Sequence, residues 1–310
     1  MKMRSEGIEP NGFTFVAVLS ACIRVLELEL GFQVHSSVIK MGFLDSVFVT
    51  NALMGLYGKF NGGLGLVLNL FEEMRQRDVA SWNTVISSLV KEGMYEKAFE
   101  FFRSMQEIGP LKADYFTISA ILSGCEGSID LMKGKEVHAH AIRVGLEGNL
   151  SVNNALIGFY TKCGSVSDVV TLFESMPIRD VITWTEMITA YMEFGLVDLA
   201  VEVFNKMPEK NCVSYNALMA GFCRNGEGLK AVKLFIRMVE EGLELTDFSL
   251  SSVINASALL DMCMRCGRIA DAEKMFNMWP SEQDSSVVCT SMLCGYARNG
   301  QPDEAISFFP

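Results

Sequence analysis

"VASWNTVISSLVKEGMYEKAFEFFRSMQEIG", Val79 to Gly109, decides the fold. Val85, Ile86 and Leu89 recur at helical spacing, Gly93 follows the last of them, and a second apolar segment closes with Phe102 and Met105 three residues apart. Glycine supplies the positive-φ residue that ends a helix, so the stretch reads as helix, tight turn, helix.

The pattern repeats along the chain. "NLFEEM" (69–74), "EFFRSM" (100–105), "TLFESM" (171–176), "EVFNKM" (202–207) and "KLFIRM" (233–238) share an apolar residue, then Phe, then Met three further on. Their phenylalanines, Phe71, Phe102, Phe173, Phe204 and Phe235, are spaced by 31, 71, 31 and 31 residues. The long gap holds one more unit, because "GKEVHAHAIRVGL" (134–146) matches "GFQVHSSVIKMGF" (31–43), with His138 falling 103 residues after His35. Upstream of the Phe/Met blocks lie "TNALMGLYGKF", "WNTVISSLVKEG", "NNALIGFYTKCG", "WTEMITAYMEFG" and "YNALMAGFCRNG". A hairpin that is apolar on two sides cannot bury both alone, whereas stacked neighbours can. The expected fold is therefore all-α, an α-solenoid of helix-turn-helix repeats.

Whole-chain quantities agree. The 310 residues are half hydrophobic, with 21 Phe and 19 Met, enough for a sizeable core. No window approaches 18 uninterrupted apolar residues, and "MKMRSEGIEPNGF" resembles neither a secretory signal nor an organelle transit peptide. The chain as given reads as soluble, without a membrane partner. Nine cysteines read as reduced, buried small hydrophobes rather than a disulfide frame. The net charge of −11 disfavours loose adsorption to polyanions.

Segments such as Val79–Gly109 closely resemble the pentatricopeptide repeat, and the alternating unit lengths resemble its plant subclass of mixed standard, long and short repeats. The tetratricopeptide pattern W-x2-L-G-x2-Y is absent. The resemblance implies a right-handed superhelix. It lays the chain out as a partial repeat at 1–11, then 12–46 (long), 47–78 (short), 79–114 (standard), 115–149 (long), 150–180 (short), 181–211 (short-like) and 212–247 (standard). A truncated long repeat (248–256), a short one lacking its start (257–285) and a partial one (286–310) complete it. The step from Phe235 to Phe276 is 41 where the comparable step from Phe102 to Phe173 is 71, so thirty residues of a regular array are missing near 256/257. Both ends of the chain fall inside repeats.

Members of that family bind single-stranded RNA at about one base per repeat. The resemblance implies that the fifth and last residues of a repeat hydrogen-bond the base edge, and that the second packs on its face. Carried over, the pairs are Asn51 with Asp78, Asn83 with Asp114, Asn154 with Asp180, Thr185 with Asn211, and Asn216 with Asp247. The family's code would read Asn/Asp as uracil and Thr/Asn as adenine, giving U-U-x-U-A-U. Two long-repeat pairs depart from it, Val16 with Ser46 and Ser119 with Asn149. Asp at a repeat's end equally suits a helix cap. Asn recurring inside a helix, where its propensity is poor, calls for another reason, and its amide offers both donor and acceptor. Against the charge, RNA binding requires Lys and Arg to gather on the RNA-facing side and Glu and Asp elsewhere.

Other chemistry finds little support. His138-Ala-His140 has the wrong spacing for two ligands on one helical face, and His35 and His138 occupy equivalent places, so a repeat-interface role is favoured. Cys263-Met-Arg-Cys266 aligns with ordinary helix positions, Cys266 with Cys163 and Cys263 with Tyr160. Met262 stands where the zinc-deaminase signature of some relatives needs Pro, and no H-x-E occurs. No phosphate loop or nucleophile elbow is present. The expectations are thus no enzyme activity, no metal or cofactor and no small-molecule substrate. The reading is an RNA-binding protein of chloroplast or mitochondrion acting in editing, splicing, stability or translation, with editing or processing proteins as further partners. A protein-binding solenoid is the alternative.

Overall fold

The computed structural model describes residues 9–108, 112–125, 131–243, 264, 269–277 and 286–308. They form two compact units, Met1–Ser165 and Val166–Pro310. The truncated repeat and Cys263-Met-Arg-Cys266 lie outside the described residues, apart from the helical, buried Met264.

In the first unit the helices are α1 (Gly12–Val25), α2 (Leu28–Lys40), α3 (Val47–Tyr57), α4 (Leu64–Glu73), α5 (Val79–Lys91), α6 (Tyr95–Glu107), α7 (Tyr115–Ser123), α8 (Leu131–Arg143) and α9 (Leu150–Lys162). The second unit holds α10 (Val166–Ser175), α11 (Val181–Glu193), α12 (Val197–Lys206), α13 (Cys212–Arg224), α14 (Gly228–Glu240), α15 (Ile269–Asn277), α16 (Ser286–Arg298) and α17 (Pro302–Phe308). Helices alternate as first and second members of hairpins. Consecutive first helices pack on one another, α1 on α3, α3 on α5, α5 on α7 and α7 on α9, and in the second unit α11 on α13. Second helices pack on their own first helix and on the next, as α4 does against both α3 and α5.

Local sequence explains the punctuation. Gly93 and Gly226 sit at φ 71° and 73°, closing the turns after α5 and α13 in the left-handed region that side chains disfavour. Asn11, Asp78, Asp114, Asp180 and Asn211 cap α1, α5, α7, α11 and α13, each accepting from the backbone N–H three residues on. In all five a Thr or Ser hydroxyl accepts in return from the cap's own N–H, which satisfies two otherwise orphaned donors. The repeated Phe and Met form the core: Phe71, Met74, Phe102 and Met105 in the first unit, and Phe173, Met176, Phe204, Met207, Phe235 and Met238 in the second, are all buried. At roughly 1.5–3 kcal/mol for each such side chain, this row is the main stabilising term of each hairpin.

Polar ties lock neighbouring first helices together. Lys91 Nζ donates to Gly58 O (3.0 Å) and Lys59 O (2.8 Å), and Lys162 Nζ to Ser123 O (3.1 Å). In the second unit Asn225 donates to Met192 O (2.9 Å) and Asn299 to Met264 O (2.7 Å). The carbonyls of Gly58, Lys59, Ser123 and Met192 lie at or just beyond a helix C-terminus, where intrahelical partners run out.

Candidate nucleic-acid interface

The fifth residue of a first helix and the cap of the next are brought together by first-helix packing. Asn51 Nδ2 donates to Asp78 Oδ1 at 3.0 Å, and Asn83 Nδ2 to both carboxylate oxygens of Asp114 at 3.1 and 3.3 Å. The Asp is both helix cap and hydrogen-bond partner of the preceding Asn. Burial pushes the Asp78 carboxyl up, but the Ser81 N–H, the Asn51 amide, the adjacent Ser81 side chain and its own N–H outweigh this and hold it below the ordinary carboxylate value. It is ionised at neutral pH and keeps acceptor capacity for a ligand.

The remaining pairs are placed differently. Thr185 and Asn211 are not joined by a hydrogen bond: the Thr185 hydroxyl turns back to Val181 O at 2.7 Å, and the Asn211 side-chain oxygen accepts from Ser214 N at 3.0 Å. Asn154, half-buried, belongs to the first unit and Asp180, the cap of α11, to the second. Asn216 is buried on α13, and its expected partner Asp247 lies outside the described residues.

Beside this row lies a second. The second residues of the first helices point outward: Phe13 is 77 % exposed, Phe48 52 % and Phe116 50 %, and in the second unit Ile182 and Val213 are 57 % and 54 % exposed. The smaller Ala80 and Ser151 hold the same place and are exposed too. Phe13 and Phe48 meet edge to face with centroids 5.7 Å apart. An apolar side chain at the same exposed place on successive helices suits the face of a planar base, and aromatic rings suit it best.

Charge divides between the two helix layers. Among the described first helices the carboxylates are Glu186 and Glu193 only, against Arg24, Lys91, Lys162, Arg224 and Arg298, all in or beside a last turn. Most of the acidic side chains that fall inside described helices lie on second helices, as in Glu72 and Glu73 on α4, Glu96, Glu100 and Glu107 on α6, and Asp198 and Glu202 on α12. The carboxylates in the candidate row itself are the caps Asp78, Asp114 and Asp180.

Three cations have a different task that sequence reading missed. Arg77 Nε donates to Phe71 O (3.0 Å) with its guanidinium 4.5 Å from the Phe71 ring centre, and Arg179 repeats this on Phe173 O and the Phe173 ring (4.4 Å). Lys210 Nζ caps Met207 O at 2.9 Å and lies over Phe204. Their signal is a basic residue one place before the cap. The predicted interface role of the histidines is seen in His35 and His138, hydrogen-bonded through Nδ1 to Tyr57 and Tyr160 of the next hairpin. Among the described residues no group of three or more His, Cys, Asp and Glu is placed to hold a metal ion, and no helix is long and apolar enough to cross a membrane.

Helical hairpins stacked so that their first helices share one polar row define an α-helical repeat protein. Within that class the chain belongs to the pentatricopeptide repeat family: models described as PPR repeat family match residues 77–126 and 210–258, PPR repeat matches 154–181, 182–212, 255–283 and 287–309, and pentatricopeptide repeat domain matches 1–60. It is 52 % identical to the Arabidopsis thaliana pentatricopeptide repeat-containing protein At5g03800 over 339 positions, covering 99 % of the chain and 38 % of that protein. It is 33 % identical to the chloroplastic pentatricopeptide repeat-containing protein At4g18520 of the same plant over 297 positions, covering 96 % of the chain and 47 % of the relative. The chain thus spans less than half the length of these relatives. Its fold is similar to that of the pentatricopeptide repeat protein PPR10 crystallised with an 18-nt psaJ RNA element, at a TM-score of 0.67 and 17 % identity, over 99 % of this chain and 46 % of that one.

Proposed function

We propose that this chain binds single-stranded RNA sequence-selectively in a plant organelle, at about one base per repeat, and acts in transcript processing or modification such as C-to-U editing, splicing, stability or translation. The observation that carries this is the pair Asn83–Asp114, repeated as Asn51–Asp78. In each, an amide and a carboxylate stand side by side, and the first helix that follows Asp114 exposes Phe116. An amide and a carboxylate address a base edge, and an exposed ring addresses its face. The low acidity of the first helices lets phosphates approach. PPR10 with its bound RNA supports the class of ligand, and the chloroplastic relative supports the compartment.

The test is enrichment of a randomised single-stranded RNA pool on this chain, with Asn83 and Asn216 replaced together in a second protein. Selective enrichment that the double variant loses is expected. Enrichment of no sequence, or of one indifferent to both changes, would point to a scaffold that binds protein through the same architecture.

The repeat layout follows the subclass of mixed long, short and standard units, with thirty residues missing near 256/257. The alignment to At5g03800 agrees in size, since 339 aligned positions exceed the 310 residues available and leave at least 29 opposite gaps.

A further inference from the structure

Ser81 and Thr117, the third residues of α5 and α7, do more than complete capping boxes. Ser81 Oγ lies 2.8 Å from Asn51 Oδ1, thirty residues earlier in the chain, and Thr117 Oγ1 lies 2.5 Å from Asn83 Oδ1. Each hydroxyl also lies within reach of the capping carboxylate, 2.8 Å from Asp78 Oδ1 and 2.9 Å from Asp114 Oδ1. A hydroxyl has one proton to give. Each of those carboxylate oxygens already accepts two N–H donors, one from the Asn amide and one from the backbone of Ser81 or Thr117. The amide oxygens lack such donors, so the proton goes to them. The result is a closed ring: Asn N–H to Asp carboxylate, Asp backbone N–H to hydroxyl (3.2 Å in both), hydroxyl O–H to Asn oxygen.

We infer that Ser81 and Thr117 are specificity-determining positioning residues: by holding the Asn51 and Asn83 amides in one of their two orientations, they make these sites select a keto pyrimidine, uracil, over an amino pyrimidine, cytosine. This deepens the RNA reading proposed above and rests on it. With the amide oxygen tied back, the amide presents its N–H side and the carboxylate its outer oxygen, which at Asp114 also lies 3.3 Å from Asn83 Nδ2 and has a lone pair to spare, one donor and one acceptor in fixed order. Uracil offers O4 as acceptor beside N3–H as donor. Cytosine offers the reverse, an N4 amino donor beside the N3 acceptor. An amide free to turn over would present oxygen beside oxygen and lose the distinction. Thr117 is fully buried and Asn83 nearly so, hence water competes weakly for this ring. The sequence follows the same logic. After four of the five pairs, those ending in Asp78, Asp114, Asp180 and Asn211, the third residue is Ser81, Thr117, Thr183 or Ser214, and after the fifth, ending in Asp247, it is Leu250; after the long repeats ending in Ser46 and Asn149 it is Val49 or Val152.

The experiment starts from the RNA that wild-type chain enriches from a random pool. Binding of that RNA and of its single U-to-C variants is measured for wild type, Asn83→Ala, Thr117→Val and Thr117→Ser. The nucleotide read by Asn83 is the one whose U-to-C penalty vanishes in Asn83→Ala. Thr117→Val is expected to lower the U-over-C ratio at that nucleotide alone, by roughly fivefold for one lost hydrogen bond, while Thr117→Ser retains it. Weaker binding of every sequence with the ratio unchanged would reduce Thr117 to a helix cap and overturn the inference, and Thr117→Ser separates that outcome from a folding defect. Failure of the wild type to enrich any sequence would instead sink the RNA reading itself.

Discussion

His35 Nδ1 and Tyr57 Oη stand 2.8 Å apart, joining α2 of one hairpin to α3 of the next, and His138 repeats the bond to Tyr160 at 2.8 Å between α8 and α9. The pairs lie 103 residues apart in the chain and share one geometry. They mark the place where a second helix with a histidine leans on the first helix of the following hairpin.

Burial pushes His35 below its ordinary value, with the Glu73 carboxylate partly opposing, and burial and Arg143 do the same to His140 against Glu136. The folded chain then binds fewer protons than the unfolded chain as pH falls below 6.5. Stability is full above that value and declines below it. Urea midpoints measured from pH 7.5 to 5.5 should fall, and a His35→Phe, His140→Phe double variant should show a shallower decline. Equal slopes in the two proteins would refute this account.

Gly134 on α8 lets Phe159 of α9 lie against the helix backbone. A Cβ there would stand 1.9 Å from Phe159 Cζ, and at the equivalent Gly31 it would stand 2.4 Å from Leu56 Cδ2. Phe159 and Leu56 are buried, so neither can retreat cheaply. Gly134→Ala should destabilise by about 1–3 kcal/mol despite alanine's better helix propensity. A melting temperature at or above that of the wild type would contradict the packing.

Arg179 donates to Phe173 O from both Nε and Nη2 (3.0 and 2.8 Å) and lies over the Phe173 and Trp184 rings. Its planar fork matches the end of α10 in a way a lysine ammonium does not. Arg179→Met should cost about 1–2 kcal/mol, and Arg179→Lys should recover only part of it. Chemical denaturation of the three proteins tests this ordering, which full recovery by lysine would break.

Asp78→Ala removes the cap of α5 and should cost about 1 kcal/mol at pH 7. Asp78→Asn keeps an oxygen for Ser81 N and should cost less. Because the folded carboxyl is held below its ordinary value, its contribution is present above that value and lost as pH falls through the lowered one. The gap between wild type and Asp78→Asn should therefore close in acid. A gap constant down to pH 2 would show that charge plays no part.

Much of the fold was legible in the sequence because its signals are local. The glycine after Leu89, the capping Asp at a repeat's end and the Phe–x–x–Met blocks act within about one helical turn. The Asn/Asp pairs were legible only through the family resemblance. The sequence allowed Asp114 to be a helix cap, and the structure shows that it caps α7 while also accepting from the Asn83 amide. The hydroxyls of Ser81 and Thr117 were missed. The capping-box spacing does flag them, but nothing in it reveals a partner thirty residues upstream.

The sequence by itself determined the helical hairpins and their turns, since each depends on neighbours a few residues away. Only the tertiary structure decided which polar side chains meet. It joins Asn51 to Asp78 and Asn83 to Asp114, and turns Thr185 back onto its own helix instead of toward Asn211. A hydrogen bond requires atoms within about 3 Å, and across some thirty residues that distance is fixed by how one helix packs on the next.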